Sequence, residues 1–158
     1  MLLTMSVVGA AAIRPARTTD LAAVCSLLRE AKLPTDDLAS APGLRSWVLE
    51  ADGALIGHIA LECAGEGGVL RSLVIEPRYR GLGWGKALVE ALEQKAHGAG
   101  ITQLVLLTES AQAFFASLDY IVIERCYVPD ELQQSAEFSS LCPTAAICMT
   151  KALGPTDG

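Results

Sequence analysis

The sequence of 158 residues has few charged residues, no C-x-x-C pair and no long apolar run. None of its apolar runs approaches the roughly 20 residues that a membrane-spanning helix needs. Charged residues make up 19% of the chain and the net charge is -6, so DNA or RNA would be repelled. We therefore expect a protein that binds neither nucleic acid nor a membrane.

The cysteines are odd in number and lie in apolar surroundings, at Cys25, Cys63, Cys126, Cys142 and Cys148. We expect them to be reduced and to act as small buried hydrophobic residues. An alternative is that Cys126, Cys142 and Cys148 converge as a thiol site for a soft metal or an arsenical. The N-terminal segment lacks the positive charge of a secretory leader, so we expect a cytoplasmic protein. We expect no resident metal.

Composition and periodicity predict one α/β (α+β) domain over residues 10–153, with loose termini at 1–9 and 154–158. The hydrophobic content of 51% is too high for a disordered chain. Apolar spacing predicts helices over 20–31, 83–99 and 111–118, the first capped by Thr19, and a helical turn over 36–41. Strands are predicted over 10–15, 46–50, 55–63, 69–75 and 103–107, and near 121–127 and 145–151.

Connection lengths predict how these strands pair. Asp52-Gly53 suits a tight turn, so the strands around it form a hairpin. A long helix separates strands 69–75 and 103–107, which makes this pair parallel and places the loop after 69–75 at the carboxyl ends of the strands. The remaining pairs are expected to be antiparallel, which gives a mixed, mostly antiparallel sheet.

A glycine-rich stretch connects strand 69–75 to helix 83–99. Gly81, Gly83 and Gly85 lack a Cβ atom, so this loop can turn successive main-chain amides toward one anion. The amides at the helix start are unpaired and lie at the positive end of the helix dipole, which favours phosphate. The pattern therefore indicates a loop that binds a diphosphate.

Two common phosphate-binding motifs do not fit this loop. A dinucleotide-binding fingerprint needs glycine where Lys86 stands. An ATP-type loop needs Ser or Thr after Gly-Lys, to hold Mg²⁺, but Ala87 occupies that position. Both classes of nucleotide site are therefore excluded.

The pattern Arg80-x-x-Gly83-x-Gly85, which follows a strand and Pro77, resembles the acyl-CoA loop of the GNAT superfamily of N-acetyltransferases. This resemblance implies a GNAT fold with six to seven strands and about four helices, and acetyl-CoA as co-substrate. It also implies that the cofactor is bound by Leu73, Val74, Ile75, Arg80, Gly81, Leu82, Gly83, Trp84, Gly85, Lys86 and Phe115.

Segment 111–120 resembles the second GNAT signature, with two departures. Asp119 replaces the usual glycine, and Asp tolerates the left-handed conformation that a helix C-cap needs. Phe115 replaces a tyrosine that in many relatives protonates the departing CoA thiolate, and a phenyl ring cannot donate a proton. Because an alkyl thiol has a pKa of about 8.5, the thiolate can still leave near neutral pH.

Catalysis also needs a base for the acceptor amine and a donor for the oxyanion. His58 and Glu62 share one face of strand 55–63. We expect Glu62 to be the base, as the resemblance also suggests, and His58, with an ordinary pKa of about 6.5, is the second candidate. In GNAT relatives the main chain of the strand before the loop holds the thioester oxygen, which implies a catalytic role for the backbone of Val74.

Arg71 and Ser72 are candidates for binding the acceptor. Strand alternation places Arg71 on the face of Leu73 and Ile75, and a guanidinium can pair bidentately with a carboxylate. The run from residue 70 to 74 resembles acetyltransferases that act on glutamate-like amino acids. Together with segments 137–143 and 148–153, it resembles the small bacterial N-acetyltransferases associated with arsenic resistance.

We therefore expect an enzyme that transfers acetyl from acetyl-CoA to the amine of a small carboxylate-bearing metabolite or toxin. An arsenical glutamate analogue is the most specific candidate, in a detoxification role. Acetylation of an amino acid or an aminoglycoside antibiotic is the alternative within enzymes. A catalytically inactive acyl-CoA sensor is the alternative of another class, which Phe115 favours. A homodimer is expected because two-fold association is common.

Overall fold

A single mixed sheet organises the computed structural model, which describes residues 11–35, 37–38, 43–135, 138 and 146–154. Within these residues the sheet has seven strands in the order β1-β2-β3-β4-β5-β7-β6. The strands are β1 Ala12–Pro15, β2 Leu44–Ala51, β3 Ala54–Ala64, β4 Gly67–Ile75, β5 Gln103–Thr108, β6 Ile121–Val122 and β7 Ile147–Ala152. The α-helices are α1 Leu21–Glu30, α2 Trp84–Gly98, α3 Gln112–Ala116 and α4 Asp130–Gln133. The predicted fold class is confirmed.

The strand pairing follows the predicted connections. β2 and β3 form an antiparallel hairpin whose turn holds Asp52 at φ 52° and Gly53 at φ 77°. Positive φ at both positions is the conformation that matches the twist of the two strands. β3 and β4 are also antiparallel, and β4 is parallel to β5 because α2 crosses between them.

Helices cover both faces of the sheet. On one face, α2 and α3 bury a large apolar cluster that includes Leu88, Leu92 and Phe115. On the other face, α1 packs Val24 and Leu28 near β2 and β4, and α4 packs Leu132 over β4 and β5. The regularly spaced apolar residues of α1 and α2 therefore face the sheet, as the sequence predicts.

A bulge in β4 reverses the alternation of its side chains. Ala60 pairs with Arg71 and His58 pairs with Val74, so two residues of β4 oppose one residue of β3. As a result Leu73 and Ile75 pack on the face of the sheet that α2 covers. Val74 packs on the opposite face, under α1, and shares this face with His58. The prediction that Arg71 shares a face with Leu73 and Ile75 is therefore wrong, because the extra residue lies between them.

Two local predictions also differ from the structure. A 3-10 turn at Thr18–Asp20 precedes α1, so the N-cap residue of α1 is Asp20 and not the predicted Thr19. The Asp20 carboxylate accepts the main-chain N–H of Arg17 at 2.7 Å. The predicted strand 121–127 ends after two residues, because a 3-10 turn follows at Arg125–Tyr127. Helix α4 was not predicted. The predicted helical turn over 36–41 lies mostly outside the described residues.

Candidate active site

A cleft opens where β4 and β5 diverge. Both strands are fully described, and they pair only through Gly67–Gln103, Gly68–Leu104 and Val69–Val105, although β4 continues to Ile75. The cleft has a volume of about 1340 Å³ and is lined by both strands, the glycine loop and α3. Every predicted cofactor-binding residue except Leu82 lines the cleft. The predicted acceptor-binding residues Arg71 and Ser72 line it as well. Leu82 is 67% exposed at the tip of the loop.

The glycine loop has the conformation that its sequence predicts. Gly81 and Gly83 have φ values of 78° and 90°, and Gly83 is the N-cap of the 15-residue helix α2. No described atom would lie within 4 Å of a Cβ at either position, so glycine is needed there for conformation and not for space. At Gly85 a Cβ would lie 3.3 Å from the ring of Phe114, which makes close packing the reason for this glycine.

Two basic side chains flank this loop. The Nε of Arg80 donates a hydrogen bond of 2.9 Å to the Ile75 carbonyl, which ties the start of the loop to the end of β4. Arg80 is otherwise exposed at the rim of the cleft, where its guanidinium can reach a phosphate. Lys86 is 61% exposed and lies 4.0 Å from Glu90, one turn further along α2.

The register of β4 shows which main-chain groups face the cleft. Pairs of antiparallel residues alternate between those that hydrogen-bond to each other and those that point away. Glu76 donates its N–H to the Ile56 carbonyl, so Val74, two residues earlier, also directs its main-chain groups toward β3. Leu73 and Ile75 direct theirs to the other side, from which β5 has diverged. This register favours Leu73 over the predicted Val74 as the N–H donor that faces the cleft.

Arg71 lies at the centre of a buried charged cluster. Its side chain is fully buried and forms two hydrogen bonds, of 2.7 and 2.8 Å, with the Asp37 carboxylate. The Glu62 carboxylate lies 3.5 Å away, and Arg71 also donates to the hydroxyl of Ser72 at 3.2 Å. Hydrogen bonding to Arg71 lowers the pKa of Asp37, whereas burial raises the pKa of Glu62 against the pull of Arg71. A substrate carboxylate that binds Arg71 must therefore compete with these two side chains.

The two predicted candidates for the base have different surroundings. His58 is 1% exposed, and burial lowers its pKa to about 4, so the imidazole is neutral at pH 7. Its Nδ1 lies 2.8 Å from the carbonyl oxygen of Ser72. Neither His58 nor Glu62 belongs to the described lining of the cleft, but Glu62 contacts Arg71, which does. The assignment of Glu62 as the base stays a prediction.

Phe115 lies in an aromatic cluster at one wall of the cleft. Its ring meets those of Phe114 and Tyr120 edge to face, at centroid distances of 5.0 and 5.5 Å. Burial and the nearby Glu93 raise the pKa of Tyr120, whose hydroxyl donates to Glu93 at 2.8 Å. Asp119 has φ 76°, as predicted for a left-handed C-cap residue.

Across the described ranges, no group of three His, Cys, Asp or Glu side chains could hold a metal ion. Cys126 is exposed and Cys148 is buried, and both are free thiols, while Cys142 lies outside the described residues. Their convergence stays a prediction. None of the described helices is long and apolar enough to cross a membrane.

Comparisons with known proteins match this fold. Residues 42–122 match the family model described as an acetyltransferase (GNAT) domain. Rv2747 from Mycobacterium tuberculosis, solved in complex with CoA and NLQ, is 26% identical over 90% of this chain and 99% of its own, with a TM-score of 0.76. The ribosomal-protein-S18-alanine N-acetyltransferase from Escherichia coli is 21% identical over 94% of this chain and 96% of its own, with a TM-score of 0.72.

N-acetylglutamate synthase from Neisseria gonorrhoeae, solved with coenzyme A and N-acetyl-glutamate, has a TM-score of 0.78. It is 21% identical over 91% of this chain. This chain spans only 35% of the synthase, so the likeness concerns about a third of that longer protein.

Proposed function

Because the chain belongs to the acetyltransferase (GNAT) domain family, we propose that it transfers the acetyl group of acetyl-CoA to the amine of a small, carboxylate-bearing amino acid. The cleft between β4 and β5 is the observation that carries this proposal. At one end of β4 the glycine loop offers main-chain amides to the diphosphate. Arg71 lies four residues before the end of the strand, about 13 Å away along its axis. A thioester that extends along β4 from the loop would end near Arg71.

Residues that line the cleft or contact its lining suit each step of acyl transfer. The amine loses a proton to Glu62, directly or through water, and attacks the thioester carbon. The raised pKa of Glu62 makes this carboxylate a better proton acceptor. The negative charge that forms on the thioester oxygen meets the N–H of Leu73. The intermediate then collapses, forms the amide and releases the CoA thiolate.

The wall at Phe115 supplies no acid for that thiolate. An alkyl thiol has a pKa of about 8.5, so the thiolate leaves near neutral pH and takes its proton from water. Phe115 instead keeps the wall of the cleft apolar, since its ring packs against Phe114 and Tyr120. Lower water content strengthens the hydrogen bond at the oxyanion.

The substrate class rests on Arg71. A guanidinium that already binds one carboxylate bidentately has the right geometry for another, and substrate can replace Asp37 there. Within this class, an arsenical glutamate analogue is the most specific candidate, on the resemblance of segments 70–74 and 148–153. Free cysteines suit a cytoplasmic enzyme, and we expect a homodimer.

A thiol-release assay with acetyl-CoA tests the proposal. The acceptors are glutamate, glutamine, aspartate, the phosphinic and arsenical analogues of glutamate, and an aminoglycoside. We expect release with the carboxylate-bearing acceptors, and much less with the methyl ester of the best one. Preference for the aminoglycoside would contradict the substrate class. Binding of CoA without release from any acceptor would instead favour the inactive sensor.

A further inference from the structure

His58 has no role in the steps above, yet its side chain contacts the main chain of the active site. Its Nδ1 lies 2.8 Å from the Ser72 carbonyl oxygen. A carbonyl can only accept, so Nδ1 carries the hydrogen and donates it. The imidazole is 1% exposed, which makes this a buried hydrogen bond with a fixed direction.

The residue that His58 holds has a strained backbone. Ser72 has φ 59°, a left-handed conformation that costs a residue with a side chain roughly 1–2 kcal/mol. Such a conformation persists only where neighbouring groups enforce it. At Ser72 two neighbours do so: His58 binds its carbonyl, and Arg71 donates to its hydroxyl at 3.2 Å.

The geometry of the peptide links this contact to the cleft. Every peptide bond that the structure describes is trans. The Ser72 carbonyl and the Leu73 N–H belong to one peptide and therefore point in opposite directions. With the carbonyl turned toward His58, the N–H points toward the cleft. The described pairing of β4 with β5 ends at Val69, so β5 does not take up this N–H.

We propose that His58 is a positioning residue for acetyl transfer, which holds the Ser72–Leu73 peptide so that the Leu73 N–H meets the thioester oxyanion. His58 itself touches neither the cofactor nor the amine. A hydrogen bond to the carbonyl also polarises the peptide and strengthens its N–H as a donor. This inference rests on the proposed function, because it assumes that an oxyanion forms in the cleft.

Two variants of His58 separate the hydrogen bond from the packing. His58→Asn keeps an amide N–H near the position of Nδ1, whereas His58→Leu fills the space without a donor. Loss of an oxyanion donor lowers kcat about 10²- to 10³-fold. In His58→Leu the donor is still present but misdirected, so kcat is expected to fall by less, roughly 10- to 100-fold. His58→Asn is expected to recover most of this loss. The Kd for CoA, measured by calorimetry, is expected to stay within about threefold in both, since the glycine loop is unchanged.

Ser72 offers an independent test of the same coupling. Glycine adopts a positive φ without strain, so in a Ser72→Gly background the peptide depends less on His58. There, His58→Leu is expected to lower kcat by less than in the wild type. In a Ser72→Ala background, where the strain remains, the full effect is expected. Equal effects in the two backgrounds would overturn the proposal.

Other outcomes are equally decisive. His58→Leu with wild-type kcat, or His58→Asn as inactive as His58→Leu, would refute positioning. Loss of the acidic limb of the pH profile in both variants would instead identify His58 as the base. If His58→Leu does not fold, His58→Gln, whose amide reaches the position of Nε2, replaces it. An inactive wild type on every acceptor refutes the proposed function as well, whereas an active wild type with unaffected variants refutes positioning alone.

Discussion

Replacing Gly83 with alanine tests whether the backbone conformation of the loop forms the anion site. Gly83 is the N-cap of α2, with φ 90° and ψ 2°. No described atom lies within 4 Å of a Cβ built there, so the methyl group meets no steric obstacle. The cost of Gly83→Ala is therefore conformational, and for a left-handed alanine it is roughly 1–2 kcal/mol.

The strain of the left-handed backbone in Gly83→Ala is expected to change one of two quantities, the free energy of unfolding or the Kd for CoA. If the empty loop keeps its shape, the free energy of unfolding falls by about 1–2 kcal/mol. If the empty loop relaxes, the strain returns when CoA binds, and the Kd for CoA rises about 5- to 30-fold, since 1.4 kcal/mol is tenfold. The two losses together are expected to add to about 1–2 kcal/mol.

Urea unfolding and calorimetric titration with CoA measure the two quantities. Gly98→Ala is the matched control, because Gly98 ends the same helix and no described atom lies within 4 Å of its Cβ. Alanine is favoured over glycine in a helix, so this control is expected to gain about 0.5–1 kcal/mol with an unchanged Kd. If Gly83→Ala changes both quantities by less than about 0.3 kcal/mol, a small fraction of the expected strain, the conformational account of the loop is refuted.

Three further predictions address the acceptor, the missing acid and the buried histidine. Arg71→Lys loses the bidentate fork and is expected to raise KM for the amino acid at least tenfold, with the affinity for CoA unchanged. Arg78→Lys, at an exposed position, is the control and is expected to leave KM unchanged. Equal KM values for the two variants would contradict this prediction. Phe115→Leu is expected to lower the free energy of unfolding by about 1 kcal/mol. It is expected to keep kcat within about threefold, because no proton donor is lost. A fall in kcat of about 100-fold, as for loss of a catalytic group, would show a chemical role for the ring. The pKa of His58 falls from 6.5 to about 4 on folding, so stability present above pH 6.5 is lost as the pH falls through 4. His58→Asn is expected to remove this loss, up to about 3 kcal/mol at pH 4, and parallel pH curves in urea unfolding would contradict it.

Local sequence determined the features that could be predicted best. A positive φ is encoded by Gly83 in the cofactor loop and by Asp52 and Gly53 in the hairpin, and all three have it. The family match confirms the predicted GNAT family, whereas the use of acetyl-CoA by this chain stays a proposal. The arsenic-resistance subfamily, the domain bounds, the dimer and the cytoplasmic location stay predictions.

The geometry around Arg71 could not be predicted from local patterns. Neither Ser72 nor Leu73 is a glycine, so nothing in the sequence marks the bulge, and simple alternation places Arg71 on the wrong face. Asp37, which binds Arg71 bidentately, lies 34 residues away in the chain. Helix α4 has four residues, too few to show a helical period.

The short seam between β4 and β5 has a consequence for the stability of the whole sheet. In the described sheet, three residue pairs join the section β1–β4 to the section β5–β7–β6. If CoA binds between the diverging edges, as proposed, its chain adds contacts to both sections. Amide exchange at 73–75 and 106–108 is therefore expected to slow on binding, while the β2–β3 hairpin stays unchanged. A ligand that binds only the folded state is then expected to stabilise the whole sheet as its concentration rises.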